Sequence, residues 1–386
     1  LTRLEFDVSV NTGKAVIILS PSCDGRVSLA VSGLTDVVAN HAPPHAGGAD
    51  FQFRVVDGRL DVASYRDQVA VTWRFQRRSG FDGMREEGSS VLWPEHCDNL
   101  FPCHPSMTTG SAYTIAVAGV PKGQIAVFPP KLEADAPAYM PALAVGDYTY
   151  VKVGTTKAGT EVGYWTLPST AEAAKSGLSQ LAETFEWLET TLGTYSYGNK
   201  VGGVAVDWGL QYGGLENHPY WHVSKLAMGD LKIHTHEATH GWFGAGVRLA
   251  CWNDLVMSEG TADYLTAEAI EAVQGKDAAA KMWQAYQSHY DKKVAGGADM
   301  VLWPDGCGDV KSANLLLRQL LYKKGALFWR EVGKHVGKDA LHAAMASYYK
   351  DNVNKAGKLA DLLARIEKDT GKSLAALTKL WLKSKK

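Results

Sequence analysis

Residues 209–244 read GLQYGGLENHPYWHVSKLAMGDLKIHTHEATHGWFG, and the five residues from His236 to His240 decide how the rest of the chain is read. In an α-helix, residues four apart lie one above the other on the same face, so both imidazoles of HExxH can reach one ion. Glu237 is turned about 100° from His236 on the same helix. Two histidines leave room at a divalent metal for a carboxylate and a water, which makes zinc the natural candidate. The flanks supply the helix. Asp230 can cap a segment running LKIHTHEATHGWF, Gly241 and Gly244 stand at its end, and Ile233 and Phe243 offer apolar contacts beside the histidines. His234, two residues from His236, is turned off the ligand face and reads as structural.

The third ligand has to come from another element. Glu259 lies on a second helical pattern, WNDLVMSEGTADYLTAEAIEAVQG, separated from His240 by 18 residues, enough chain for one turn back. A zinc class with a third histidine needs a glycine three residues past the second histidine and that third histidine three beyond it. Phe243 and Gly246 occupy those positions, so the glutamate-ligand class is favoured. Asp263, four residues after Glu259, points the same way and can accept a hydrogen bond from the free ring nitrogen of a ligating histidine. Its competing reading is a solvated helix carboxylate.

Outward from this centre the pattern changes. Before residue 145 the chain consists of short β-type runs such as FDVSV, KAVIIL, FQFRVV and QVAVTWRF, divided by Gly, Pro and Asp clusters. After the proline-bearing stretch KLEADAPAYMPALAVGD come two more strand-like segments, and then the period becomes helical. STAEAAKSGLSQLAETFEWLETTLG reads as one helical stretch with Ser169 or Thr170 as N-cap and Gly193 as stop. KLADLLARIEKDTGKSLAALTKLWLKSKK reads as two amphipathic helices broken at Gly371. The expectation is an α+β chain, with an antiparallel β domain over 1–145 and a mostly helical domain with a small sheet over 146–386.

Composition narrows the classes of function. Forty basic against 41 acidic side chains leave a formal net charge of −1, so no global field recruits nucleic acid or an anionic membrane. No apolar run approaches the length of a membrane span, and the opening LTRLEFDVSV alternates like a strand. The start at Leu1 leans toward a processed, exported protein, periplasmic or secreted in preference to cytoplasmic. The five cysteines, Cys23, Cys97, Cys103, Cys251 and Cys307, form neither a dense disulfide scaffold nor a CxxC metal cluster. Cys97 and Cys103 read as a disulfide or a packed pair, and Cys251 and Cys307 flank the candidate site and could bridge it. HAPPH at 41–45, His96 and His104 lie on turns with no regular ligand spacing and read as surface loops.

Three separated motifs in order resemble the aminopeptidase N type of zinc metallopeptidase, the gluzincin aminopeptidases. HEATHGWFG followed by WNDLVMSEGTADY is similar to that family's HExxH and glutamate-bearing helix. GGLEN at 213–217 resembles its GAMEN or GGMEN signature, and Tyr322-Lys323-Lys324-Gly325 matches its YxKG element. PEHCDNLFPCHPSMTTGSAYTIAVAGVPKG and the KDTGKSLAALTKLWL end extend the likeness over most of the chain.

The resemblance implies a saddle-like β domain before a thermolysin-like catalytic domain, one zinc ion per chain, and a peptide substrate with a free N-terminus. His236, His240 and Glu259 would hold the ion. It would lower the pKa of its water toward neutrality so that Glu237 can act as general base. Tyr322, otherwise a plain core aromatic, would stabilise the oxyanion. Glu216 would pair with the α-amine, which selects exopeptidase action. Gly213 and Gly214 permit close backbone approach for a substrate bound as an added strand, although GG and EN are also turn chemistry. Leu215 and Trp93 would line the pocket for the first side chain. The chain reads as departing from the pattern in three places: its N-terminal region is shorter than usual, the family's frequent C-terminal helical domain is not expected in it, and Trp93 stands where a second amine-binding side chain is usual. The competing readings are a zinc endopeptidase with an open cleft and a non-catalytic peptide-binding homologue.

Overall fold

Burial alternates along the first strands with the period of two that the sequence carries. In Thr2–Asp7 the buried side chains are Leu4 and Phe6, and in Gln68–Phe75 they are Val69, Val71, Trp73 and Phe75. One face of the sheet they build is therefore core. The computed structural model describes residues 2–18, 26–41, 52–63, 68–92, 96–209, 213–308 and 319–386, and shows an α+β chain.

The chain folds as two compact units, one of residues 1–150, 165–171 and 204–226 and the other of 151–164, 172–203 and 227–386. The two short later segments that join the first unit are held there by tertiary pairing, which has no signature in local period.

The first unit is built on a six-stranded sheet in the order Lys131–Ala136, Ser111–Ala118, Thr2–Asp7, Thr12–Ile18, Gln68–Phe75, Leu34–His41. Its pairings are antiparallel except for Thr2–Asp7 with Ser111–Ala118, which run parallel. Gly13 makes room for the central indole: a Cβ there would lie 2.3 Å from the Trp73 ring. The Trp73 Nε1 donates to the Leu100 carbonyl at 2.7 Å, satisfying the polar end of a side chain that is otherwise buried. Cys97 and Cys103 are joined by a disulfide beside it.

GGLEN also belongs to the first unit. Gly214–Leu215 is a short strand paired antiparallel with His222–Ser224, which in turn runs parallel to Val204–Val206. It is the edge strand of a five-stranded sheet in the order Thr149–Thr155, Glu161–Thr166, Lys200–Val206, His222–Ser224, Gly214–Leu215.

The second unit is mostly helical. At its centre lies Glu259–Gln274, in which every residue from Glu259 to Ile270 is buried. A helix buried on all sides must admit close neighbours, and its Gly, Ala and Thr content suits that. The helix Gln319–Val336 approaches it so nearly that a Cβ on Gly325 would sit 2.8 Å from the Gly260 Cα. The stretch 169–193 does not form one helix. It makes Ala171–Gly177 and Leu181–Leu192, and Gly177, at the end of the first, passes the Gly229 backbone where a side chain could not stand. Gly193 ends the second of these helices. Leu359–Thr370 and Ala375–Trp381 are separated at Gly371, whose φ of 68° gives the left-handed cap that glycine supplies at least cost. Cys251 and Cys307 are disulfide-bonded in this unit. Among the described residues no helix is long and apolar enough to cross a membrane.

Candidate metal centre

The HExxH residues stand on Leu231–Thr239, with His240 as its C-cap. Asp230 begins this helix by accepting from the Lys232 N–H at 2.9 Å, the N-cap bond that satisfies an orphan donor of the first turn. His234 is fully buried and hydrogen-bonds the Met228 carbonyl at 3.1 Å. Burial pushes its pKa down to about 4, so it packs as a neutral core residue away from the ligand face.

Three donor atoms converge. His236 Nε2 and His240 Nε2 lie 3.3 Å apart, and Glu259 Oε2 is 3.3 Å from the first and 3.5 Å from the second. The other edge of each ring fixes its tautomer. His240 Nδ1 is 3.0 Å from the Phe243 carbonyl, an acceptor, so Nδ1 carries the proton and Nε2 keeps its lone pair. His236 Nδ1 is 2.9 Å from Asp263 Oδ1 and donates in the same way. Two imidazole lone pairs and a carboxylate oxygen aimed at one point, all close to fully buried, fit the donor set of a zinc ion. Burial alone would push Asp263 up, but Lys323 and His236 outweigh it and hold the carboxyl below its ordinary pKa.

Three glycines and a serine make this arrangement possible. Gly244 has a φ of 115°, and a Cβ there would lie 2.7 Å from His240 Nδ1 and 2.5 Å from Ser258 Oγ. Ser258 Oγ itself sits 3.1 Å from His240 Nδ1. In the sequence Gly244 reads only as a helix end and nothing marks Ser258, because neither contact follows from periodicity. Gly260 and Gly325 let the helices of Glu259 and Tyr322 touch, which brings the Tyr322 ring over that of His236 with centroids 5.7 Å apart and planes 25° apart. Glu237 is buried, 6% exposed, on the ligand helix.

In the first unit, Glu216 follows the edge strand and is 5% exposed. Its neighbour Asn217 is held at both ends, the backbone N–H donating to the Leu215 carbonyl at 2.8 Å and Nδ2 to the Tyr139 carbonyl at 3.0 Å. The His218 N–H meets Met140 Sδ at 3.1 Å. This anchoring by the Tyr139–Met140 segment is not legible in sequence, being a contact across 78 residues. Gly213 accepts from the Ser224 N–H at 2.9 Å, Gly214 pairs with Val223, and Leu215 packs among Val204, Val206 and Trp208. Trp93 lies outside the described residues.

The model of the peptidase family M1 domain matches residues 178–381. The chain therefore belongs to peptidase family M1. It is 25% identical over 362 residues to aminopeptidase N of Streptomyces lividans, a match covering 86% of this chain and 38% of that protein. It is 24% identical over 263 residues to aminopeptidase M1-B of Oryza sativa subsp. japonica, covering 64% and 29%. The chain thus spans well under half the length of these relatives. Among solved structures, a mutant M1 zinc metallopeptidase of Deinococcus radiodurans bound to a Tyr-Ser-Ala substrate matches with a TM-score of 0.79 at 16% identity, over 99% of this chain and 92% of that one. At that identity the match speaks for the fold.

Proposed function

We propose that the protein is a zinc-dependent aminopeptidase that hydrolyses the N-terminal peptide bond of peptides. The observation that carries this reading is the convergence of His236 Nε2, His240 Nε2 and Glu259 Oε2 with both Nδ1 protons committed elsewhere. These three residues would hold one zinc ion per chain. When bound, such an ion supplies Lewis-acid polarisation of a carbonyl and a water acidified toward neutrality.

The remaining work falls to the chain's own side chains. Glu237 takes a proton from the attacking water onto its carboxylate and later delivers it to the leaving amine nitrogen. Tyr322, whose ring rests on His236, donates its hydroxyl hydrogen to the carbonyl oxygen as negative charge develops there. Glu216 pairs with the protonated α-amine, a charge-assisted contact that a substrate without that charge cannot make. Gly214 opens the edge strand Gly214–Leu215 and Gly213 stands just before it, where an extended substrate could add as a further strand. Leu215 and Trp93 are assigned to the pocket for the first side chain on the family resemblance.

The names of the relatives support a peptide substrate with a free N-terminus. The disulfides Cys97–Cys103 and Cys251–Cys307 favour an oxidising compartment, periplasmic or extracellular. Turnover of a panel of amino-acid anilides, compared with the same compounds bearing an acetylated N-terminus, tests the reading. Loss of cleavage on acetylation is expected, and equal cleavage would assign an endopeptidase instead. No turnover of either, with zinc bound, would leave a peptide-binding protein.

A further inference from the structure

The helix Gln319–Val336 places one side chain on the His236 imidazole and the next on the carboxylate that holds it. Tyr322 covers the face of His236, and Lys323, about 100° further round the helix, reaches Asp263 instead. Lys323 Nζ lies 2.6 Å from Asp263 Oδ2, while Asp263 Oδ1 lies 2.9 Å from His236 Nδ1. The carboxylate is thus engaged at both oxygens, one by the lysine and one by the ring. The Asp263 side chain is 7% exposed and that of Lys323 28%, so the pair is better shielded than the surface ion pairs that contribute little. A further contact fixes the lysine: its ammonium stands 4.4 Å from the centroid of the Tyr286 ring, a cation–π placement.

We propose that Lys323 is a positioning residue of the metal site. By holding Asp263 Oδ2, it fixes the carboxylate orientation in which Oδ1 takes the His236 Nδ1 proton, and so keeps the Nε2 lone pair directed at the metal position. The final torsion of an aspartate is broad and nearly two-fold, so one hydrogen bond to a ring leaves the carboxylate free to turn. A second partner on the opposite oxygen removes that freedom. The lysine itself does not drift, because Tyr286 on the neighbouring helix Lys276–Ala295 holds its charge from another side. This inference rests on the reading of His236, His240 and Glu259 as a zinc site. Partners that orient a metal-bound histidine are typically worth 10–100-fold in affinity, and Lys323, one contact further out, belongs at the lower end.

The test is Zn²⁺ titrated into chelator-stripped protein in competition with a chromophoric chelator, for wild type, Lys323→Met, Lys323→Arg, Asp263→Asn and the Lys323→Met/Asp263→Asn double variant. Lys323→Met is expected to weaken zinc binding about tenfold, Lys323→Arg to restore it to within about threefold, and the double variant to bind no more weakly than Asp263→Asn. Unchanged affinity in Lys323→Met, or effects that multiply in the double variant, would overturn the inference. So would a loss that follows the metal-free unfolding midpoint in the Met and Arg variants alike, since a merely structural lysine gives that result. His236→Ala separates the two levels of argument: zinc binding as tight as wild type in that variant removes the metal-site reading itself, whatever Lys323 does.

Discussion

Gly325→Ala gives the sharpest test of how the site is assembled. An alanine in place of glycine in a helix interior normally stabilises by about 1 kcal/mol, from lost unfolded-state freedom and better propensity. Here the new Cβ would lie 2.8 Å from the Gly260 Cα and 2.9 Å from Val256 Cγ2. The nearer obstacle is backbone, which cannot rotate away, so the helices Glu259–Gln274 and Gln319–Val336 must separate by several tenths of an ångström or more. Overpacking of this kind costs about 1–3 kcal/mol, leaving a net change of roughly 0–2 kcal/mol on the destabilising side after the propensity gain. Gly333→Ala in the same helix is the control. Its Cβ would meet Leu341 and the Tyr264 hydroxyl at 3.5 Å, an ordinary contact, and the normal stabilising sign is expected. Chemical denaturation of the metal-free protein measures both. The same separation draws Tyr322 from His236, and misplacement of a catalytic group by about an ångström can cost on the order of 100-fold in rate. Gly325→Ala should therefore lose kcat as well as stability. A Gly325→Ala protein as stable and as active as Gly333→Ala would refute the close-approach argument.

Other expectations concern single groups. Tyr322→Phe should lower kcat by about 10²–10³-fold with zinc affinity held within a few-fold, measured on an aminoacyl anilide. Glu216→Ala should lower kcat/KM for free-amine substrates by about 10–100-fold, as loss of a charge-assisted hydrogen bond does, and should narrow the preference for a free amine over an acetylated one. Burial pushes both His222 and His342 down to about 4 from an ordinary 6.5. Each is then neutral in the folded state while the unfolded chain takes up a proton, so the stability they allow is intact above pH 6.5 and falls as pH drops toward 4. The loss is about 3 kcal/mol per histidine at most. A denaturation series in that window should show His222→Gln and His342→Gln with shallower acid slopes than wild type, and equal slopes would contradict the argument.

What was legible in the sequence follows from what is local. The HExxH pentad, the Asp230 cap and the Gly371 break each depend on spacing within one or two turns, and the structure puts them where the period does. Helical spacing likewise put Asp263 on the face of Glu259, and its carboxylate lies against His236. The rest depends on chain segments that meet only after folding. Lys323 sits 60 residues from Asp263, and nothing in YKKG distinguishes a lysine that reaches a buried carboxylate from one in water. Gly244 and Ser258 converge on His240 through a turn whose path no pattern announces. The parallel pairing of Thr2–Asp7 with Ser111–Ala118 and the passage of Gly177 over Gly229 are likewise properties of the assembled units. Of the family motifs, the glycines of SEG and YxKG gain a physical reason only in the structure: they are the two surfaces across which the central helices touch.

The central claim is that His236, His240 and Glu259 hold one catalytic zinc ion. The direct measurement is turnover of an aminoacyl anilide by protein stripped with a chelator, then titrated with Zn²⁺, with bound metal counted by mass spectrometry. The account predicts no turnover when stripped, recovery that reaches its full value at one zinc per chain, and neither binding nor recovery in His240→Ala. Full turnover by metal-free protein, or full zinc binding by His240→Ala, would contradict it.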